Sequence, residues 1–87
     1  MLNSVILTVQ IAEIDFEYDM ELPANMPGRL LCDKLLSALK NIETDAFHMT
    51  ETINLLIEHT QKVLEDDKTL EESGVWDGSI ITVLKGR

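Results

Sequence analysis

Residues 14 to 22 read Ile-Asp-Phe-Glu-Tyr-Asp-Met-Glu-Leu, apolar at every even position and acidic at every odd one. Successive side chains on a strand point to opposite faces, so this alternation describes a strand with one apolar face and one anionic face. On a helix the same residues scatter around the cylinder, which excludes that reading. Such a strand requires a sheet beside it and an apolar layer beneath it. Residues 3–11 offer the sheet. Val5, Leu7, Val9 and Ile11 share one face there, while Ser4, Ile6, Thr8 and Gln10 share the other. Ala12 and Glu13 form a short turn between the two strands, a hairpin by its length. Two strands alone are marginal in water.

Pro23 ends the second strand, and Asn25 followed by Pro27 predicts a helix entry. Asn25 is the expected cap, with proline tolerated in the first turn, where its missing N–H would be unpaired anyway. Residues 28–41 have helical period. Leu31, Leu35, Ala38 and Ile42 form the central stripe, flanked by Cys32 and Leu39. Arg29, Asp33, Ser37 and Lys40 lie opposite. Leu30 and Leu36 fall outside the stripe; single surface leucines are common, and these two leave the chain open to be a monomer or a weak dimer.

Residues 43–50 read as a polar connection, and residues 52–58 return to strand, with Ile53, Leu55 and Ile57 alternating against Asn54, Leu56 and Glu58. A turn at 59–61, a brief fourth strand at 62–65 and another turn at 66–68 follow. Residues 69–74 predict one helical or 3₁₀ turn, capped by Thr69 with Glu72 three positions on and stopped by Gly74. Residues 75–78 make a tight turn, and residues 79–84 the last strand. The order β-β-α-β-β-(short helix)-β predicts a two-layer α+β fold. The last strand is the most apolar, so it belongs at the sheet centre beside the first, with Ile81 and Val83 against the helix.

Composition narrows the function. Eighty-seven residues suit one small domain, here taken as 1–87. Seven basic and sixteen acidic residues give a formal charge of −9 and a pI near 4.4. That balance excludes the basic clusters that nucleic-acid binding needs, and it disfavours docking on anionic lipid. No apolar run reaches the ~18 residues of a membrane span, so direct membrane insertion is not expected. The first strand begins without the basic and then apolar start of a secretory signal. The single Cys32 cannot form an internal disulfide. A cytoplasmic location is the expectation.

The segment Lys62-Val-Leu-Glu-Asp-Asp-Lys-Thr-Leu70, with Gly74-Val-Trp-Asp-Gly-Ser-Ile-Ile-Thr-Val-Leu84 after it, resembles the ubiquitin segment that joins a K-x-L-E-D-x-x-T-L turn to the closing strand. The front half narrows the likeness. Tyr18-Asp-Met-Glu-Leu-Pro-Ala-Asn-Met-Pro27, a leucine-rich helix, and Glu71-Glu-Ser-Gly-Val-Trp-Asp-Gly-Ser-Ile81 are similar to the YukD/EsaB family. These are stand-alone bacterial ubiquitin-like proteins encoded with type VII (ESX-like) secretion systems. The resemblance covers about residues 4 to 84. It implies a β-grasp, a mixed five-stranded sheet packed on one main helix. It also implies a non-enzymatic accessory or regulatory role through non-covalent binding to a secretion-machinery subunit, with recruitment to the membrane by that complex.

Two alternatives stay open. One is a protein modifier or sulfur carrier. That chemistry requires a slim C-terminal Gly-Gly whose carboxylate can be adenylated, whereas the last strand here is followed by Lys85-Gly86-Arg87. The other is a β-grasp adaptor domain of a larger secretion membrane protein.

No residue pattern predicts catalysis, a cofactor or a metal. His48 and His59 lack a ligand-spaced Cys or acid and read as surface residues. Cys32 has no activating His in sequence and reads as a small buried hydrophobe. Glu65-Asp66-Asp67 does not match the spacing of a calcium loop. Trp76 is expected to close the end of the core like a lid, with a partner anchor as its other reading. The candidate protein-binding face is the outer side of the sheet: Ile6, Thr8, Leu56, Ile80, Thr82 and Leu84, edged by Glu17, Asp19 and Glu21. Glu58 stands at about the place of the central isoleucine by which ubiquitin is recognised. The face reads either as an ordinary solvated surface or as a docking patch for a basic or apolar partner.

Overall fold

The first and last strands lie side by side in the middle of one sheet. The computed structural model describes residues 3–12 and 14–86. Its strands are β1 (Ser4–Ile11), β2 (Phe16–Pro23), β3 (Ile53–Ile57), β4 (Lys62–Val63) and β5 (Ile80–Lys85), in the spatial order β2-β1-β5-β3-β4. β1 and β5 run parallel, with Thr8 opposite Ile80 and Ile11 opposite Val83. β2 adds antiparallel to β1, and β3 antiparallel to β5. The expectation that the last strand is central, beside the first, is met. The role given to Glu13 in the hairpin turn, and that given to Arg87 in the tail, lie outside the described residues.

Alternation decides which side is covered. Val5, Leu7, Val9 and Ile11 of β1, Ile81 and Val83 of β5, and Ile53, Leu55 and Ile57 of β3 are all buried on one side. The helix α1 (Gly28–Ile42) packs there through Leu31, Leu35, Leu36 and Leu39. β2 lies at the edge and is less well covered: Leu22 is buried, Tyr18 and Met20 are half-buried, and Phe16 is exposed.

Four expectations are corrected by tertiary contacts. Asn25 does not cap the helix, which begins after Pro27 with no side-chain cap. Instead, the Gly28 and Arg29 amides donate to the Lys68 and Asp66 carbonyls, at 2.8 and 3.1 Å. The turn at 66–68 thus satisfies the first-turn donors that a cap would otherwise take. Glycine is required at 28, since a Cβ there would come within 2.3 Å of the Glu65 carbonyl oxygen. Second, the buried stripe is turned relative to the predicted one: Leu36 is inside and Ile42 is 47% exposed. Third, the stretch read as a polar connection is not wholly one. It contains a short second helix, α2 (Thr44–Phe47), whose Phe47 is completely buried and supplies core volume beyond the end of α1.

The fourth correction concerns Trp76, which is no lid. Val75 enters the core and Trp76 is 55% exposed. The turn before it follows expectation. Thr69 Oγ1 accepts from the Glu72 amide and the Glu72 carboxylate accepts from the Thr69 amide, each at 3.0 Å, a reciprocal capping pair. Gly74 stops that turn at a φ of 77° that a side chain would strain.

Truncating Phe47 to Ala removes the largest fully buried side chain and should cost about 3–5 kcal/mol of folding stability. Met49→Ala, at an exposed position, should stay within about 0.5 kcal/mol. Urea unfolding of the two variants measures both. Equal midpoints would contradict the core assignment of Phe47.

Candidate protein-binding face

The side of the sheet away from α1 is built from the even positions of β1 and β5 and the odd positions of β2. Pairing sets them in rows: Asp19 faces Thr8 and Thr8 faces Ile80, while Glu17 faces Gln10 and Gln10 faces Thr82. On the other flank of β5, Leu56 faces Thr82 and Asn54 faces Leu84. The predicted residues therefore do share a face, but their exposure differs. Ile6 is 55% and Ile80 39% exposed. Thr8, Leu56 and Leu84 are half-buried, and Glu17 and Asp19 are exposed. Thr82 is buried, and its hydroxyl donates to a carboxylate oxygen of Glu58.

The acids of β2 are ordered by neutral donors. Thr8 Oγ1 donates to Asp19 at 3.0 Å, Gln10 Nε2 to Glu17 at 2.9 Å, and Ser4 Oγ to Glu21 at 2.5 Å. Such bonds orient a carboxylate and leave its charge in place. The face therefore sets oriented carboxylates beside apolar side chains.

Two further residues join this face at one end, and sequence reasoning did not bring them together. His59 and Trp76 stack with ring centroids 4.4 Å apart. Asp77 Oδ1 accepts the Ile6 amide at 2.8 Å, fastening the turn at 75–78 to the start of β1. His59 and Trp76 are seventeen positions apart in sequence, and no local signal announces the stack.

Tyr18 donates its hydroxyl to Glu43 at 3.0 Å. Its phenol titrates above the ordinary range, first because it loses hydration and then because of the Glu43 hydrogen bond and charge. Among the described residues, no group of three or more His, Cys, Asp or Glu side chains is placed to hold a metal ion. No described helix is long and apolar enough to cross a membrane.

The model of the family described as "WXG100 protein secretion system (Wss), protein YukD" matches residues 5–83. The chain belongs to the YukD family. Solved structures agree with the fold of this YukD-family chain. It resembles the ubiquitin-like domain of the Mycobacterium tuberculosis type VII secretion system protein EccD1 at a TM-score of 0.71 and 19% identity, covering 97% of this chain and 100% of that one. For the EccD5 ubiquitin-like domain from Mycobacterium xenopi the TM-score is 0.75 at 16% identity, covering 97% and 96%. A chain of the MycP5-free ESX-5 inner membrane complex matches at a TM-score of 0.78 and 20% identity, covering 98% of this chain. The present chain spans 21%, about a fifth, of that longer one. No curated protein sequence matches significantly. The fold is therefore the ubiquitin-like β-grasp, α+β, in a family associated with type VII secretion.

Cys32, half-buried on the α1 flank, borders an open cleft of about 630 Å³ with Arg29, Asp33 and Leu36. Burial, followed by the charges of Asp66 and Asp33, pushes its thiol up from 9.0 to about 11. The contribution of the neutral thiol to stability is present below the unfolded value and is lost as pH rises through the folded one. A rise of this size lowers the thiolate fraction at pH 8 about a hundredfold. Alkylation by iodoacetamide at pH 8 should accordingly be about a hundredfold slower in the folded chain than in urea. Equal rates would contradict this environment.

Proposed function

We propose that this chain is a non-enzymatic, ubiquitin-like accessory or regulatory component of a bacterial type VII secretion system. It works by non-covalent binding to a subunit of that machinery. The observation that carries the reading is the family match over residues 5–83. The chemistry of the outer face is in keeping with it, with exposed Ile6 and Ile80 beside oriented carboxylates. Burial raises the pKa of Cys32, the most nucleophilic residue type in the chain, and so disfavours its thiolate. The chain acts as one domain over 1–87, on the cytoplasmic side, and the secretion complex recruits it to the membrane. The likeness to part of an ESX-5 inner membrane complex supports that placement.

The modifier or sulfur-carrier reading is disfavoured by the packing at the end of the sheet. The Gly86 amide donates to the Thr52 carbonyl at 2.7 Å, and a Cβ on Gly86 would lie 2.0 Å from Thr52 Oγ1. Gly86 is thus packed against the entry to β3, whereas adenylation needs a tail free to thread an enzyme cleft. The adaptor-domain reading has its own support: the similar ESX-5 chain is about five times longer. The length of the gene in its source genome decides between a free-standing protein and such a domain.

The test is deletion and capture in the native host. Deleting the gene should reduce export of secretion substrates. A tagged copy should co-purify with a secretion subunit through contacts that boiling in detergent disrupts. Unchanged export together with no co-purified subunit would sink the reading, and an adduct on the chain's C-terminal carboxylate would replace it with the modifier reading.

A further inference from the structure

The turn at 75–79 presents a large aromatic that the core does not use. Trp76 is exposed at the surface next to buried Val75. Its position is fixed from two sides. The indole stacks on His59, whose Nε2 lies 3.2 Å from the Gly74 carbonyl oxygen, and the Trp76 amide donates to Ser79 Oγ at 3.1 Å. Exposed Ile80 and Ile6 continue the apolar surface, and Gly78 sits between them, its amide donated to the Ile6 carbonyl at 2.9 Å. Two shallow depressions flank this glycine. Glu58, His59 and Trp76 border one; Ile6, Asp19 and Asp77 border the other. An indole held rigidly in solvent next to two exposed isoleucines is the kind of anchor that contributes most at protein interfaces, because little conformational freedom is lost on binding.

The charge around this anchor has one sign. Along β1, β2, β3 and β5, the outward positions carry Glu17, Asp19 and Glu21, and no lysine or arginine. Lys62 is paired opposite Ile57 and Lys85 opposite Ile53, which puts both on the α1 side. Arg29, Lys34 and Lys40 belong to α1 itself. A second copy docking through the same face would meet it with the same acids, and anionic lipid or nucleic acid would be repelled.

We infer that Trp76, Ile80 and Ile6 are the apolar centre of a docking patch for a partner segment that carries Lys or Arg beside an apolar side chain. The partner's apolar group seats against Trp76 and the isoleucines, and its cation meets Asp19 and the neighbouring acids. The patch rests on the reading that the chain acts by non-covalent protein binding, and it names the surface and the chemistry of the partner. It lies at the Ile6 end of the face, away from Leu84 and Leu56.

Site-specific photo-crosslinking in the native host tests it, with benzoylphenylalanine in place of Ile80 and, as a control, in place of exposed Lys34 on α1. The Ile80 probe should join a partner peptide whose sequence, read by mass spectrometry, contains Lys or Arg beside an apolar residue. Adding W76A or D19K to the Ile80 probe should lower the yield about tenfold. Both variants should remain folded, their melting temperatures lowered only by the several degrees that loss of the His59 stack or the Thr8 hydrogen bond costs. The inference is overturned by crosslinks from the Lys34 position only, by none from either position, by a partner peptide without a base, by a second copy at Ile80, or by undiminished yield in W76A. A secretion subunit joined only through Lys34 keeps the proposed function and removes the patch. A basic segment of an identified non-secretion protein at Ile80 keeps the patch and removes the secretion partner.

Discussion

The parallel pairing of β1 with β5 is the contact on which the remaining structure hangs. It joins residues more than seventy positions apart, so closing it requires the whole chain to be organised first. Once made, it gives β2 one free edge to add to and β3 the other, and it brings the buried rows of β1, β5 and β3 under one helix. The turn before β5 secures the join. The Thr8 amide donates to the Ser79 carbonyl and the Gly78 amide to the Ile6 carbonyl, both at 2.9 Å, and Asp77 takes the Ile6 amide. These bonds that fix the register also set Trp76 and Ile80 beside Ile6. Fold and surface thus share a cause.

The helix entry shows the same economy. A helix start normally needs a side chain to satisfy its first amides. Here the turn at 66–68 supplies carbonyls, which also ties the second half of the chain to α1. The close approach leaves no room for a side chain at Gly28.

Charge segregation has a modest energetic cost. Carboxylates two residues apart on a strand stand about 7 Å from each other, and at the dielectric of water each such pair repels by about 0.6 kcal/mol before salt screening. Glu17, Asp19 and Glu21 make two such steps along β2. A fold can carry a penalty of that size without difficulty, and a cationic partner relieves it. The neutral donors on β1 orient these acids without neutralising them. The acidic ladder is therefore a persistent surface property rather than a set of internal ion pairs.

Alternation of period two was sufficient for the strands. It assigned Val5, Leu7, Val9, Ile53, Leu55, Ile57, Ile81 and Val83 to the core, because a half-buried strand can tolerate only one apolar face. The capping pair of Thr69 and Glu72 was legible for the same reason: both partners lie within one turn. The positions that escaped depend on distant neighbours. Phe47 hid in a polar stretch because its burial requires α2 to fold back beside the end of α1. Leu36 went inside and Ile42 stayed out because the angle at which α1 meets the sheet is set by residues far from it in sequence. Trp76 has the hydrophobicity of a core residue, yet Val75 took the inward place and the His59 ring came from another turn to hold the indole outside. Local periodicity therefore determined the elements and the inner and outer faces of the sheet. Which end of the outer face became apolar and which amides capped the helix were decided by long-range packing, where two segments compete for one volume and the sequence of neither records the outcome.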